Sequence, residues 1–406
     1  MRTVQARFAR GFSSSCPARS YAPLSDIYVL SAARTPVGKL NGGLKSKSAV
    51  ELGTAAVRAA ISRAGIKPES VDEVYMGQVL QGGAGQSPAR QVTIAAGCPT
   101  TTESTTINKV CASGMKAVML AAQSLQLGTR KVMVAGGMES MSNAPFYFPR
   151  NAAFGNQVAS DAIIKDGLWD VYNNFHMGMC AEHCATTQGI SREEQDAFAV
   201  ESYSRATQAW KNNAFESEIV PVELKKGTIT VDEEFSTLKL DKVPSLQPAF
   251  KKEGGTVTAA NASSLNDGAS ALVLAHKDAA AELGASPLAR IVATADAALP
   301  PIDFTIAPAR AVEKVLAEAG LKVGDIAKWE LNEAFAVVGI ANTRLLKLDP
   351  SKVNVNGGAV ALGHPIGSSG SRILVSLIHS LKKGELGCAA ICNGGGGSSA
   401  VIVERM

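Results

Sequence analysis

The chain has 406 residues, of which 46% are hydrophobic and 19% charged, an ordinary globular balance that leaves room for two or three domains or one large layered unit. Four arginines precede the first acidic residue, Asp26, and account for the formal charge of +4, so the remainder is near neutral and offers no basic surface for nucleic acid. No apolar run reaches the ~18 residues that cross a membrane, and seven cysteines without regular spacing do not indicate a disulfide framework.

The first 22 residues have the composition of a targeting segment. Residues 1–22 are rich in arginine and serine and contain no acidic residue. Val4, Phe8 and Phe12 recur at helical spacing, and the continuous apolar stretch of a secretory signal is missing. We therefore predict a mitochondrial transit peptide and a mature protein in the mitochondrial matrix. A disordered N-terminal tail is the alternative.

The mature sequence opens with alternating strand and helix patterns. A strand pattern over residues 27–30 is followed by helical periodicity over 49–64 and by a second strand pattern over 71–77. Gly65 stands where helices are commonly capped by glycine. This succession predicts an α/β protein.

Two parts of the sequence recur in the same order. Residues 56–71 match residues 311–326 without a gap, and both copies contain Ala-Gly, then isoleucine or leucine, then lysine. The turn, helix and strand patterns over 111–137 resemble those over 367–395. Two such matches indicate an internal duplication. Because strands alternate with helices in both copies, we expect mainly parallel sheets buried on both faces.

A region of different character separates the two copies. Residues 140–260 contain an aromatic segment, a helical stretch over 191–213 and several turns rich in lysine and glutamate. Ser191 and Glu194 have the spacing of a capping box. We interpret this region as an inserted loop domain that covers a site on the duplicated core; a mere surface excursion is the alternative. The predicted organisation is a transit peptide over 1–22, an N-terminal half over 23–139 completed by 261–286, the insertion over 140–260, and a C-terminal half over 287–406.

Cys111 is the first residue with candidate chemistry. It lies between an apolar run and a small-residue turn, directly ahead of a helical pattern. A helix N-terminus favours the thiolate, which is the nucleophilic form of cysteine. Taken alone, however, a single cysteine is more often a small buried hydrophobic residue.

Three more residues have similar surroundings. His364 is embedded in a loop of glycines ahead of a helix, where a substrate can approach the imidazole ring closely. Cys392 lies at a strand end and is followed by the glycines 394–397, whose N–H groups could form an oxyanion hole. Asn332 aligns with Gly77 in the duplication and therefore also falls at a strand end, where its amide can hold a water or a carbonyl oxygen.

Two other interpretations of these segments are weaker. Residues 176–184 contain two histidines and two cysteines, but they lack zinc-ligand spacing and have no second pair nearby. The glycines after Cys392 could be a phosphate loop, yet neither a Gly-Lys-Ser/Thr sequence nor a G-x-G-x-x-G sequence after the first strand is present.

Together these segments resemble the thiolase family, and the resemblance covers the whole mature chain. Its most specific parts are residues 108–114, 332–335, 363–365 and 392–396, which occur in the family's order. The resemblance implies an α/β fold of duplicated, layered αβαβα type with an inserted loop domain. It also implies an acyltransferase that reversibly condenses two acetyl-CoA molecules to acetoacetyl-CoA and CoA through an acetyl-cysteine.

The resemblance assigns a role to each candidate residue. Cys111 would accept the acyl group, and His364 would activate its thiol. Cys392 would be the acid and base for the second substrate. Asn332 would hold a water that, with His364, stabilises one oxyanion, and the N–H groups of Cys111 and Gly394 would stabilise the other.

The resemblance also implies substrate and ion contacts. His176 and Met177 are similar to the short-chain, acetoacetyl-CoA type of thiolase, in which this loop narrows the acyl pocket. Ser263 would contact the pantetheine of CoA and Lys242 its nucleotide end. No organic cofactor is implied. Potassium would bind to carbonyl oxygens of Ala259, Ala260, Ala262 and Val360, although Phe198 stands where that type has a tyrosine hydroxyl.

Other functions compete with this prediction. The nearest is a degradative 3-ketoacyl-CoA thiolase of broad chain length, which rates on longer substrates would distinguish. A decarboxylating ketosynthase would use a catalytic set of one cysteine and two histidines, whereas this chain has a second thiol, Cys392, instead. A non-enzymatic acyl-CoA-binding or lipid-transfer protein on the same fold predicts a missing catalytic residue, and a zinc-binding structural protein would be decided by metal analysis. The resemblance further implies dimers or tetramers, with residues 146–158 a candidate for tetramer contacts.

Overall fold

The computed structural model describes residues 26–151 and 154–406, so the predicted transit peptide lies outside the described residues. The strands are β1 (Ile27–Arg34), β2 (Gly38–Lys39), β3 (Glu73–Gly77), β4 (Glu103–Ile107), β5 (Val132–Ser140), β6 (Phe146–Tyr147), β7 (Ser160–Asp161), β8 (Trp169–Asp170), β9 (Phe175–His176), β10 (Val222–Glu223), β11 (Thr228–Ile229), β12 (Asn266–His276), β13 (Ala289–Ala298), β14 (Lys328–Leu331), β15 (Leu386–Asn393) and β16 (Gly397–Arg405). The α-helices are α1 (Ala49–Arg63), α2 (Pro88–Ala95), α3 (Ser113–Gln126), α4 (Met177–Gln188), α5 (Arg192–Lys211), α6 (Lys277–Glu282), α7 (Ala307–Ala319), α8 (Ala336–Leu345), α9 (Ala359–Leu362) and α10 (Ser369–Ser380). Within the part of the chain that the structure describes, every helix is too short or too polar to span a lipid bilayer.

The main sheet consists of two half-sheets with the same strand order. It runs β14-β15-β16-β13-β1-β12-β5-β3-β4, with β2 paired to β12. The link between β1 and β13 rests on two residue pairs, Tyr28 with Arg290 and Val29 with Ala289. On either side of this link the orders β1-β12-β5-β3 and β13-β16-β15-β14 correspond strand by strand, as the predicted duplication requires.

Helices fill the space between the half-sheets and cover their outer faces. Helices α3 and α10 pack against each other and against strands of both halves, and Met115, Met119, Ile373 and Leu377 belong to this central core. Helix α1 covers the outer face of the N-terminal half and α7 that of the C-terminal half. The arrangement is the predicted layered αβαβα fold.

The expectation of mainly parallel sheets was wrong. Pairs β3–β4, β3–β5 and β14–β15 are parallel, whereas β1–β12, β5–β12, β1–β13, β13–β16 and β15–β16 are antiparallel. The reason is visible at β15 and β16, which a tight glycine turn joins into a hairpin. Gly395 and Gly396 adopt φ values of 84° and 89°, which only glycine reaches without strain. A hairpin reverses the chain, so the two strands cannot be parallel.

The local signals at helix ends were accurate. Gly65 follows the end of α1 with φ of 68°, as predicted, and Ser48 and Glu51 form a reciprocal capping box at its start that was not predicted. The predicted capping box of Ser191 and Glu194 starts α5. These contacts satisfy backbone N–H groups that the first helical turn leaves unpaired.

The inserted region is fastened to the core by packing and by a buried ion cluster. Helix α4 packs on α8, and α5 packs on α9. Arg34 on β1 pairs with Glu218 at 2.5 Å and with Asp232 at 2.7 Å, and all three side chains are buried. Both carboxylates come from the insertion, so removing Arg34 would leave two buried negative charges without their partner.

Candidate active site

Cys111 is held at the start of α3 by a strained turn. Val110 adopts a φ of 47°, which is rare for a branched side chain. The N–H of Lys109 donates to the hydroxyl of Ser113 at 2.8 Å, which closes the turn around the cysteine. The Lys109 ammonium pairs with Asp296 on β13, so the turn is anchored to the other half of the fold. A residue held in this way has its thiol in a fixed place.

A cavity of about 360 Å³ lies between this turn and the inserted region. Cys111, His364 and Gly394 contribute to its wall from the duplicated core. The insertion supplies His176 and Phe250, among others. The predicted nucleophile, base and oxyanion donor therefore face one space, which the insertion covers.

The imidazole of His364 is fixed on one side and free on the other. Its backbone N–H donates to Asn266 Oδ1 at 2.8 Å, and its Nδ1 lies 2.6 Å from Ser369 Oγ. Its Nε2 is buried and has no hydrogen-bond partner among the described residues. Burial, with a contribution from the charge of Arg372, lowers the pKa of His364 to about 3. The imidazole is therefore neutral at physiological pH and can accept a proton.

The thiol of Cys111 is protonated at rest. Burial raises its pKa to about 12, opposed by the N–H groups of Gly394 and of Cys111 itself, while the Glu139 charge raises it further. The sequence indicated a thiolate stabilised by the helix start. The helix begins where predicted, but desolvation outweighs its effect. Cys111 therefore needs a base, and His364, whose buried Nε2 has no hydrogen-bond partner among the described residues, lines the same cavity.

Cys392 and Asn332 emerge from neighbouring parallel strands. Cys392 is the penultimate residue of β15 and has no exposed surface, and its pKa is well above the usual value because of burial and then the charge of Cys111. Asn332 follows β14, and its N–H donates to Ala390 O at 3.0 Å. Both polar atoms of its side chain are buried without a hydrogen-bond partner in the described residues. An unsatisfied amide at this depth is suited to hold a water or a carbonyl oxygen.

The predicted substrate contacts fall at different depths. His176 caps α4 through its Nδ1 and stacks on Phe250 at 4.6 Å between ring centroids, while Met177 also lines the cavity. Ser263 lines it as well, with its hydroxyl donating to Ala334 O at 2.8 Å. Lys242 is exposed and does not form part of the cavity wall.

The predicted potassium ligands are only partly gathered at the cavity. Ala259 and Ala262 line it. Val360 lies in α9, where its N–H donates to the buried carboxylate of Glu333 at 3.2 Å. The ring of Phe198 borders a second cavity of about 240 Å³ beside Glu333 and brings no oxygen atom. The side-chain oxygen of the expected ligand set is therefore absent.

Comparison with known proteins identifies the family. Residues 27–278 match the family described as "Thiolase, N-terminal domain", and residues 285–405 match "Thiolase, C-terminal domain". The chain belongs to the thiolase family. This confirms the predicted family and fold.

Relatives of this thiolase cover nearly its whole length. "Acetyl-CoA acetyltransferase, mitochondrial" of Rattus norvegicus is 57% identical over 400 residues, covering 96% of this chain and 94% of the rat protein. "Acetyl-CoA acetyltransferase" of Yarrowia lipolytica is 56% identical over 387 residues, covering 94% and 97%. The crystal structure of Acat5 thiolase from Ascaris suum in complex with coenzyme A has a TM-score of 0.92 and 49% identity, covering 94% of this chain and all of that chain.

Several polar residues around the thiolase site were not predicted from the sequence. The carboxylate of Glu139 accepts N–H groups of Val79 at 3.0 Å, Leu80 at 3.2 Å and Gly367 at 3.0 Å, so it joins three segments beside Cys111. Burial raises its pKa to about 7. An acidic residue at the end of an otherwise apolar strand was the available signal. Asn266 and Ser369 gave no comparable signal, because their partners come from other parts of the chain or from a turn.

Proposed function

We propose that this thiolase is an acetyl-CoA C-acetyltransferase, which reversibly condenses two acetyl-CoA molecules to acetoacetyl-CoA and CoA. The proposal rests on one observation: Cys111, His364 and Gly394 line one cavity, the Gly394 N–H bonds to the Cys111 thiol, and Nε2 of His364 has no hydrogen-bond partner among the described residues. The names of the rat and yeast relatives agree with the predicted acyltransferase activity. The Ascaris thiolase bound to coenzyme A supports CoA thioesters as substrates.

In the first half-reaction, Nε2 of His364 takes the proton of the Cys111 thiol. The thiolate adds to the carbonyl carbon of acetyl-CoA, and the N–H groups of Cys111 and Gly394 stabilise the resulting oxyanion. When this intermediate collapses, the bond from carbon to the sulfur of CoA breaks. The CoA thiolate leaves with the proton of Cys392, which becomes a thiolate beside the protonated His364.

In the second half-reaction, the Cys392 thiolate takes a proton from the methyl carbon of a second acetyl-CoA. A water held by Asn332, together with protonated His364, stabilises the enolate oxygen. The enolate carbon attacks the acetyl group on Cys111, and the carbon–sulfur bond to Cys111 breaks. Cys111 recovers its proton from His364, so every group returns to its starting state.

Mass spectrometry of the protein mixed with acetyl-CoA tests this assignment. We expect one acetyl group on Cys111 of the wild-type protein and none on Cys111→Ser. The Cys392→Ala variant should become acetylated on Cys111 but should not condense the acetyl group with a second acetyl-CoA. Condensation at the wild-type rate by Cys392→Ala would overturn the role proposed for the second thiol.

We propose that potassium has little effect on this enzyme. Backbone carbonyls are suitable ligands for a hard cation, but Phe198 brings a ring without an oxygen atom to this part of the fold. Turnover should change by less than about twofold between potassium and sodium salts, and Phe198→Tyr should increase the difference. A strong potassium requirement in the wild-type protein would refute this.

We place the enzyme in mitochondria, as the name of the rat relative indicates for that protein, and in the matrix on the composition of residues 1–22. Import into isolated mitochondria with protease protection tests the location.

We also propose self-association through the segment 146–158, where Phe146 and Phe148 are 62% and 63% exposed. Sedimentation of Phe146→Ser should then show a smaller assembly than the wild type.

A further inference from the structure

Ser369 contacts the catalytic imidazole from the first residue of α10. Its Oγ lies 2.6 Å from Nδ1 of His364 and 2.9 Å from the carbonyl oxygen of Pro365. Ser369 has no exposed surface and His364 has 5%, so both contacts are shielded from bulk water. One hydroxyl therefore touches two different polar atoms in a dry environment.

The chemistry of the two neighbours decides where the hydroxyl hydrogen points. A carbonyl oxygen can only accept a hydrogen bond, and a hydroxyl carries one hydrogen. If that hydrogen pointed to Nδ1, the oxygens of Ser369 and Pro365 would face each other at 2.9 Å with no hydrogen between them. With the hydrogen on the side of Pro365, the hydroxyl accepts from Nδ1, which must then carry a hydrogen.

We propose that Ser369 is a positioning residue that holds His364 in the tautomer with hydrogen on Nδ1 and a bare Nε2. A neutral imidazole has one N–H, so this choice leaves the Nε2 lone pair free to receive the Cys111 proton. Nε2 has no competing partner among the described residues. The imidazolium that forms keeps its hydrogen bond to Ser369, so the hydroxyl need not rotate during the transfer. This inference rests on the proposed role of His364 as the base.

The experiment is alkylation of Cys111 by iodoacetamide in the full-length enzyme, followed by peptide mass spectrometry between about pH 6 and pH 9. The pKa of His364 lies below this pH range and the pKa of Cys111 lies above it, so both groups are neutral throughout. If the imidazole takes the thiol proton as the sulfur is alkylated, the alkylation rate should not change with pH. In His364→Ala only free thiolate reacts, so the rate should rise about tenfold per pH unit. This readout requires no turnover and no substrate.

Ser369→Ala should react about 10- to 100-fold more slowly than the wild type at neutral pH and should gain a rising pH profile. Ser369→Thr, which keeps the hydroxyl, should stay within about threefold of the wild type and remain flat. The matched control is Ser371→Ala, because Ser371 is equally buried in the same helix but bonds to Ser270 and Ser368. Its profile should also remain flat.

Several outcomes would overturn the inference. A flat profile at wild-type rate in Ser369→Ala, with His364→Ala steep, would reject the role of Ser369 and leave that of His364 intact. A flat profile in His364→Ala would reject the proposed base and this inference with it. If Ser369→Ala does not fold, the nearly isosteric Ser369→Cys replaces it, and a flat wild-type profile there would also reject the role.

Discussion

Asn266 accepts a hydrogen bond from the backbone N–H of His364 at 2.8 Å and donates its own amide to Gly38 O at 3.0 Å. Asn266 begins β12, which belongs to the N-terminal half-sheet, whereas His364 belongs to the C-terminal half. The proposed base is thus positioned by the opposite copy of the duplicated unit. Cys111 shows the reverse relationship, since its turn is anchored to Asp296 in the C-terminal half. Each half therefore holds a proposed reacting group of the other.

Replacing Asn266 by alanine should reduce both stability and turnover. Asn266 is fully buried, and the variant leaves the His364 N–H and the Gly38 carbonyl unpaired, at a cost of about 2–4 kcal/mol in the free energy of unfolding. Movement of His364 should lower kcat by about 10- to 100-fold. Denaturant unfolding and steady-state kinetics measure the two effects.

Asn342→Ala is the matched control for this variant. Asn342 is equally buried and makes three hydrogen bonds of 2.8 Å, to Ala309, Thr305 and Val338. It should lose similar stability while keeping kcat near the wild-type value. Equal losses of kcat in both variants would mean that Asn266 contributes only to folding.

The glycine before the proposed base should be important for turnover for a steric reason. Gly363 adopts a φ of 96°, and a Cβ added there would lie 2.5 Å from the side chain of Asn266. Gly363→Ala should therefore displace His364 and lower kcat/KM roughly tenfold or more. Gly320→Ala is the control, because Gly320 also has positive φ (66°) but an added Cβ meets nothing within 4 Å. Gly320→Ala should lower the free energy of unfolding by about 1–2 kcal/mol and leave kcat/KM unchanged. The same loss of kcat/KM in both variants would contradict the steric explanation.

The sequence revealed those features that repeat or that depend on near neighbours. The duplication was visible in residues 56–71 and 311–326 because both copies need the same helix, cap and strand. Cys111, His364 and Cys392 were visible because small residues and glycines surround each of them.

Features that arise when distant segments pack together were not predictable. The direction of β12 and β16 depends on how the chain returns to the sheet, so the antiparallel pairing was missed. The contact between Asn266 and His364 joins residues 98 positions apart. The raised pKa of Cys111 comes from burial, which becomes known only when the insertion covers the cavity.

Phe250 should restrict the length of the acyl chain. Its ring stacks on His176 and meets Phe335 edge-on at 6.2 Å, and all three residues line the cavity. Phe250→Ala should raise the ratio of kcat/KM for six-carbon over four-carbon 3-ketoacyl-CoA by about 10-fold, because methylene groups gain an apolar space. Phe235→Ala removes a similarly half-buried aromatic ring that stacks on Trp210, away from the cavity, and should leave the ratio unchanged. A wild-type protein already equally active on both lengths would favour the broad-chain alternative.

Glu330 should make stability fall as pH rises. It is buried 3.8 Å from Arg372, and burial raises its pKa to about 8, against about 4.3 in an unfolded chain. Between these values the folded state holds a proton that the unfolded state has released, so stability is greatest below the lower value and is lost as pH rises through the higher one. Glu330→Gln removes this titration. Its melting temperature relative to the wild type should therefore increase by about 2–4 °C from pH 5 to pH 8.

The comparison should be made by differential scanning calorimetry at both pH values, with Glu313→Gln as the control. Glu313 is exposed and pairs with Arg310 on the surface, so its variant should show the same difference from the wild type at pH 5 and pH 8. Taking differences cancels the titration of other buried groups such as Glu139, whose pKa is also raised. If the melting temperature of Glu330→Gln relative to the wild type stays constant or falls with pH, Arg372 keeps Glu330 ionised throughout this range.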